Sequence, residues 1–196
     1  EQAAANRGRP LLRLEMLGAG DVVERVRAVR EAAPTTRLIV DAQESWSEAQ
    51  LGEFMPALSD CRVELIEQPL PADADDALTR LKGAIPICAD EACRTVADLE
   101  RLEGKYQAIT IRLDKVGGLT AALALAAEAK RRGLRVVVGG GVGTSLGVAP
   151  AMLVAQQAVF VDLDGPLHLA VDRGGRLRYE GSTIQPADPS LWGGPG

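Results

Sequence analysis

A parallel α/β fold is what this sequence predicts, on three observations. Short apolar runs recur with a period of about 25 residues. They are rich in β-branched residues and apolar on both sides, as strands covered on both faces are. Helical patterns with readable ends separate them. Six runs are clear: Leu38-Ile39-Val40-Asp41, Val63-Glu64-Leu65-Ile66-Glu67, Ile85-Pro86-Ile87-Cys88-Ala89-Asp90, Ile109-Thr110-Ile111-Arg112, Val136-Val137-Val138-Gly139 and Val159-Phe160-Val161-Asp162-Leu163-Asp164. An earlier run over residues 11–17 makes a seventh.

The helices announce their ends. Asp21 with Glu24 reads as a capping box ahead of Val22, Val26, Val29 and Ala33, and Pro34 stops that helix. Ser47 with Gln50 repeats the device before Leu51, Phe54, Met55 and Leu58. Residues 119–132 are alanine-rich, place Lys130, Arg131 and Arg132 where they suit the helix dipole, and stop at Gly133. Alternation of this kind means a parallel sheet. Beyond Asp164 the pattern changes. Residues 167–171 and 176–179 around Gly174-Gly175 predict a hairpin, and a Pro- and Gly-rich tail follows from Ile184. The expected organisation is an irregular segment 1–10, a barrel domain 11–166, and a hairpin with tail 167–196.

Composition narrows the function. A chain of 196 residues with 22 Lys plus Arg against 27 Asp plus Glu carries a net charge of −5, without the basic footprint of a nucleic-acid or membrane binder. Cys61, Cys88 and Cys93 have no zinc or disulfide spacing and read as small core residues in a reducing, cytoplasmic setting. No apolar stretch is long enough to span a bilayer, and the polar start is no signal peptide. The chain begins at Glu1 rather than Met, which leaves upstream residues open.

Ligands of parallel α/β folds bind beyond the carboxyl ends of the strands, and there this sequence puts charge. Asp41, Glu67 and Asp90, spaced 26 and 23 residues apart, each close an apolar run. In a closed barrel they would converge, and converging carboxylates repel unless a cation joins them. Hard oxygen donors with room for water and substrate suit Mg²⁺, with Mn²⁺ as its substitute, better than zinc. The plainer reading of any one acid is a strand end or a helix cap.

These residues resemble a known family. Asp41-Ala42-Gln43-Glu44-Ser45-Trp46, Glu67-Gln68-Pro69, Ala89-Asp90-Glu91 and Lys115-x-Gly117-Gly118 are similar to the enolase superfamily in its muconate lactonizing branch. The ending Asp162-Leu163-Asp164-Gly165-Pro166-Leu167 resembles that of the dipeptide epimerases. The resemblance covers roughly residues 10–185. It implies a parallel (β/α) TIM-type barrel, here incomplete, with about seven strands and without the family's N-terminal cap domain and first strand. It implies Mg²⁺ on Asp41, Glu67 and Asp90. Asp162 and Asp164 would bind the ammonium or amide end of a dipeptide or N-acyl amino acid, with Arg13 also at the substrate. The implied reaction removes a proton α to a carboxylate and returns it from the other face.

The chain departs from the family at the two proton-transfer positions. Glu15 stands where the second lysine of a K-x-K is expected, and Arg112 where a lysine closes the sixth barrel strand. Glu15 and Arg112 are therefore the candidate catalytic positions, but arginine stays protonated and is a poor base. A non-catalytic ligand- or metal-binding descendant is the alternative to an active isomerase. A missing first strand also predicts an unsealed sheet edge, to be covered by a second copy or a partner chain. Among weaker signals, the glycine run at 139–143 can let a backbone approach closely, Trp46 either walls the mouth or packs a helix, and His168 is read as solvated or packed, not catalytic.

Overall fold

The computed structural model describes residues 6, 8–18, 20–81 and 83–192. Most of the expected irregular segment 1–10, and the last four residues of the tail, lie outside that set. Seven parallel strands run in chain order through one sheet: β1 (Leu11–Glu15), β2 (Arg37–Asp41), β3 (Val63–Glu67), β4 (Ile87–Ala89), β5 (Ala108–Ile111), β6 (Arg135–Gly139) and β7 (Phe160–Asp162). The predicted parallel α/β class and all seven apolar runs are present as strands. The chain divides into two compact units, residues 1–93 with 97–108, and residues 94–96 with 109–196. No helix among the described residues is long and apolar enough to cross a membrane.

In the first unit the helices Val22–Ala32 and Glu48–Asp60 pack against one another, and the second packs on β3. Val22 and Val26 of the first, and Leu51, Phe54 and Leu58 of the second, are buried with Leu38, Val40, Leu65 and Ile66 of the strands. The Ser47 capping box forms in both directions: the Ser47 amide donates to Gln50 Oε1 at 2.7 Å, and the Gln50 amide donates to Ser47 Oγ at 3.3 Å. The box expected at Asp21 does not form. Asp21 sits at φ 55°, whereas Ser47 has the extended backbone that aims a side chain at its helix. The three cysteines are free thiols and buried.

Register fixes what stands at the carboxyl ends. Glu15 lies opposite Asp41, and Asp41 opposite Glu67. The β2–β3 register shifts between Leu38 and Ile39: Leu38 pairs with Val63, but Ile39 pairs with Leu65. Glu64 is thus the extra residue of a bulge. Were Glu64 paired in a regular ladder with Ile39, Asp41 would face Ile66.

The second unit carries β5 to β7, the long helix Leu119–Arg131 and the shorter helices Ser145–Val148 and Ala151–Ala155. The alanine face of the long helix, with Leu125, is buried, and Gly133 at φ 78° turns the chain after it. The expected hairpin about Gly174-Gly175 is not there. Residues Gly165–His168 form a single 3-10 turn, and the antiparallel pair is β8 (Tyr179–Glu180) with β9 (Thr183–Ile184), turning at Gly181-Ser182. The Leu177 amide donates to Ser145 Oγ at 2.9 Å, which pins the expected second strand to the loop after β6.

Candidate functional site

The first unit brings three of the expected residues into direct contact. Alternation along β1 puts Arg13 and Glu15 on one face. Arg13 reaches from there to both neighbouring acids: Nη2 is 2.7 Å from Asp41 Oδ2, and Nε is 2.9 Å from Glu67 Oε2. Asp41 also accepts from the Gln43 amide at 3.1 Å and from Gln43 Nε2 at 3.3 Å. Glu67 is fully buried, and its Oε1 has no hydrogen-bond partner. The chain is strained beside each acid, with Gln43, Glu44 and Gln68 at positive φ. Such outliers gather at functional sites.

Asp90 follows the end of β4, where Cys88 and not Asp90 pairs with Glu67. Its backbone is held by Gln68, whose Oε1 accepts from the Asp90 amide at 2.9 Å and the Ala92 amide at 3.0 Å. Gln68 Nε2 in turn donates to Leu70 O at 2.9 Å and Tyr106 Oη at 3.0 Å. Tyr106 donates to Asp75 at 2.7 Å, and Lys105 pairs with the same carboxylate at 2.6 Å. Gln43 and Gln68 stand in the family-like motifs, and their roles emerge only from the fold. An amide directly after the strand-closing acid, in Glu67-Gln68-Pro69, is the signal for the second.

Burial pushes the Asp41 and Glu67 carboxyls above the usual carboxylate range. The Arg13 charge opposes the shift and the nearby Asp90 charge adds to it. The folded chain therefore holds protons that the unfolded chain has released, and stability rises as pH falls toward about 4, the ordinary carboxylate value. Groups shifted the other way, Glu128 at about 2 with Asp172 and Asp188 also lowered, act below that window. The denaturant midpoint is expected to rise between neutral pH and pH about 5, and an Asp41→Asn/Glu67→Gln chain should lose that rise. An unchanged rise in the double variant would place its source elsewhere.

As the side chains stand, the acids do not fit a metal ion. Among the described residues no group of three or more Asp, Glu, His or Cys is gathered closely enough to hold one. The Arg13 guanidinium lies on the Asp41 and Glu67 oxygens that a cation would use. Glu15, the remaining candidate of this unit, is exposed at the end of β1.

In the second unit Arg112 follows β5, and its Nη2 lies 3.4 Å from Asp114 Oδ2. A Cβ at Gly139 would meet Thr110 at 3.4 Å and Arg112 at 3.7 Å, ordinary contact distances that put Gly139 beside the Arg112 stem. Asp162 pairs with Gly139 across β6 and β7, and its carbonyl accepts from the Gly140 amide at 3.0 Å. Asp164 is exposed and lies 3.5 Å from the equally exposed His168, a pair worth little in water. The Ser145 amide that ends the glycine loop donates to the carboxylate of Asp172 at 3.1 Å, so the protein itself supplies an anion there. Trp46, buried, donates from its indole nitrogen to Met16 O and Gly18 O, both at 3.1 Å. Of its two readings, packing is the one the structure supports.

Parallel strands with Glu15, Asp41 and Glu67 in one register row at their carboxyl ends define an enolase-type barrel domain. The chain belongs to the enolase superfamily: residues 1–191 match the family model of the enolase C-terminal domain-like group. It is 44% identical over 194 residues to an N-acetyl-D-glutamate racemase of a Pseudoalteromonas species, covering 99% of this chain and 61% of the relative. It is 46% identical over 158 residues to the L-Ala-D/L-Glu epimerase of Escherichia coli K12, covering 81% of this chain and 49% of that protein. Among solved structures, an Agrobacterium tumefaciens enolase family member with homology to dipeptide epimerases, with bound sodium and L-Ala-L-Glu, matches with a TM-score of 0.94 at 50% identity, over 97% of this chain and 58% of its own. A dipeptide epimerase from Cytophaga hutchinsonii, complexed with Mg and D-Ala-L-Val, matches with a TM-score of 0.86 at 28% identity, over 94% of this chain and 54% of its own. The chain thus spans about half to three-fifths of the length of these proteins.

Proposed function

We propose that this chain is the barrel part of a racemase- or epimerase-class protein. It binds the carboxylate end of a dipeptide or N-acylated amino acid, and two-lysine proton exchange at the α carbon has been lost. The observation that carries this reading is the identity of the two residues at the strand ends, Glu15 closing β1 and Arg112 directly after β5. An α proton beside a carboxylate is very weakly acidic, and its reversible transfer needs a base on one face and an acid on the other. Arg112 stays protonated and cannot take the proton, but it can clamp a carboxylate. Its pairing with Asp114 is long and exposed, so a ligand carboxylate can replace it at little cost. Asp162 and Asp164 supply negative charge for an ammonium or amide end. The names of the relatives support the ligand class.

A second reading keeps Mg²⁺ or Mn²⁺ on Asp41, Glu67 and Asp90 once Arg13 has swung aside. The observation in its favour is Glu67 Oε1, buried with no hydrogen-bond partner. The buried free thiols suit a cytoplasmic setting. The outer side of β1, the first strand in the sheet order, is where we place a second copy or partner chain.

Proton NMR in D₂O with L-Ala-L-Glu and N-acetyl-L-glutamate tests the main reading. Saturation transfer to the ligand is expected, weakened by Arg112→Gln and by Asp162→Asn, with the α-proton signal persisting. Loss of that signal with the unsubstituted chain, abolished by Glu15→Gln, would make Glu15 a working base and overturn the loss of exchange. Absence of saturation transfer with both ligands would overturn the binding.

A further inference from the structure

We propose that the Arg13 guanidinium, and not a divalent metal ion, is the resident cation of the Asp41–Glu67 pair, and that it suppresses metal binding in this chain. The proposal goes beyond the ligand reading and does not depend on it, since no dipeptide enters its test. The geometry has three parts. Arg13 addresses one oxygen of each acid, at 2.7 Å and 2.9 Å, through two nitrogens of one planar group. Both carboxylates are buried, so their ion pairs are little screened by solvent. Asp41 is further held by two donors from Gln43, which fixes its plane toward Arg13.

A metal would have to take these same oxygens. Mg²⁺ demands oxygen donors at about 2.0–2.1 Å in near-octahedral array, and it gives up water reluctantly. Arg13 would have to leave first, breaking two charge-assisted contacts. It cannot lose its proton to make way, because guanidinium remains charged in proteins. A lysine at this position would offer one compact charge in place of the planar fork, and would yield more readily.

The test is titration of the full chain with Mn²⁺, followed by electron paramagnetic resonance of the free ion, and with Mg²⁺ by calorimetry. The unsubstituted chain is expected to show no saturable site up to about 1 mM metal. Arg13→Met, which keeps the aliphatic stem, is expected to gain a single site, tighter by about tenfold or more. Adding Glu67→Gln to it should remove that site. Arg13→Lys should fall between the two. Mg²⁺ is expected to raise the melting temperature of Arg13→Met and not that of the unsubstituted chain. Saturable binding by the unsubstituted chain, lost in Glu67→Gln and no tighter in Arg13→Met, overturns the proposal. If Arg13→Met is unfolded without metal, refolding by Mg²⁺ or Mn²⁺ supports it, and failure of both to refold the chain overturns it.

Discussion

Gln68→Leu is expected to lose on the order of 3–5 kcal/mol of unfolding free energy. Leucine nearly matches the volume of glutamine, so the loss is one of polar partners and not of packing. Gln68 is fully buried, and its side chain serves two amides, one carbonyl and one hydroxyl. Removing it strands the amides of Asp90 and Ala92 and the Leu70 carbonyl where water does not reach, at about 1–3 kcal/mol for each group left unpaired. Domains of this size are stable by about 5–15 kcal/mol, so the variant should sit near its unfolding midpoint in mild urea. Gln68→Glu keeps both acceptor bonds and should fall between the two. Urea denaturation followed by circular dichroism decides. A leucine variant within about 1 kcal/mol of the parent would mean that Gln68 does not hold the segment carrying Asp90.

Trp46→Ala is the second large effect, on the order of 3–5 kcal/mol. The indole is almost fully buried, meets Phe54 edge-on at 5.1 Å between ring centroids, and ties the loop after β1 to the loop after β2 through Met16 and Gly18. Trp46→Phe separates packing from hydrogen bonding. It keeps an aromatic ring against Phe54 and loses only the two carbonyl contacts, so its cost should be about 1–2 kcal/mol. Equal melting temperatures for the alanine and phenylalanine variants would show that the ring's contacts contribute little.

The strands were legible in the sequence chiefly because β2, β4, β5 and β6 are buried along most of their length and read as apolar runs. Helix ends were legible only where the backbone cooperated. Ser47-x-x-Gln50 and Asp21-x-x-Glu24 look alike as strings, yet Asp21 enters its helix from a left-handed turn and its side chain makes no cap. Tertiary contact overrode the turn signal at Gly174-Gly175, since Ser145 holds Leu177, and the true reversal was written in Gly181-Ser182. At the site, the acids could be found from their spacing. The attachment of Arg13 to them could not, because it depends on which face of β1 meets which register of β2 and β3. Gln68 was hidden for the same reason: three of its four partners lie more than twenty residues away along the chain.

The surplus residue in β3 gives the acid pair a second kind of inheritance. Asp41 meets Glu67 because Glu64 is accommodated as a bulge between Leu38 and Ile39. Lengthen the first half of β3 by one residue without widening the bulge, and Ile66 is brought level with Asp41; remove one residue there, and a regular ladder from Leu38 onward keeps Glu67 level with it. Residue identity alone does not preserve this site. Substitutions can tune it one group at a time, but an insertion in the first half of β3 would switch it, so residue count there is as much a part of the site as the carboxylates.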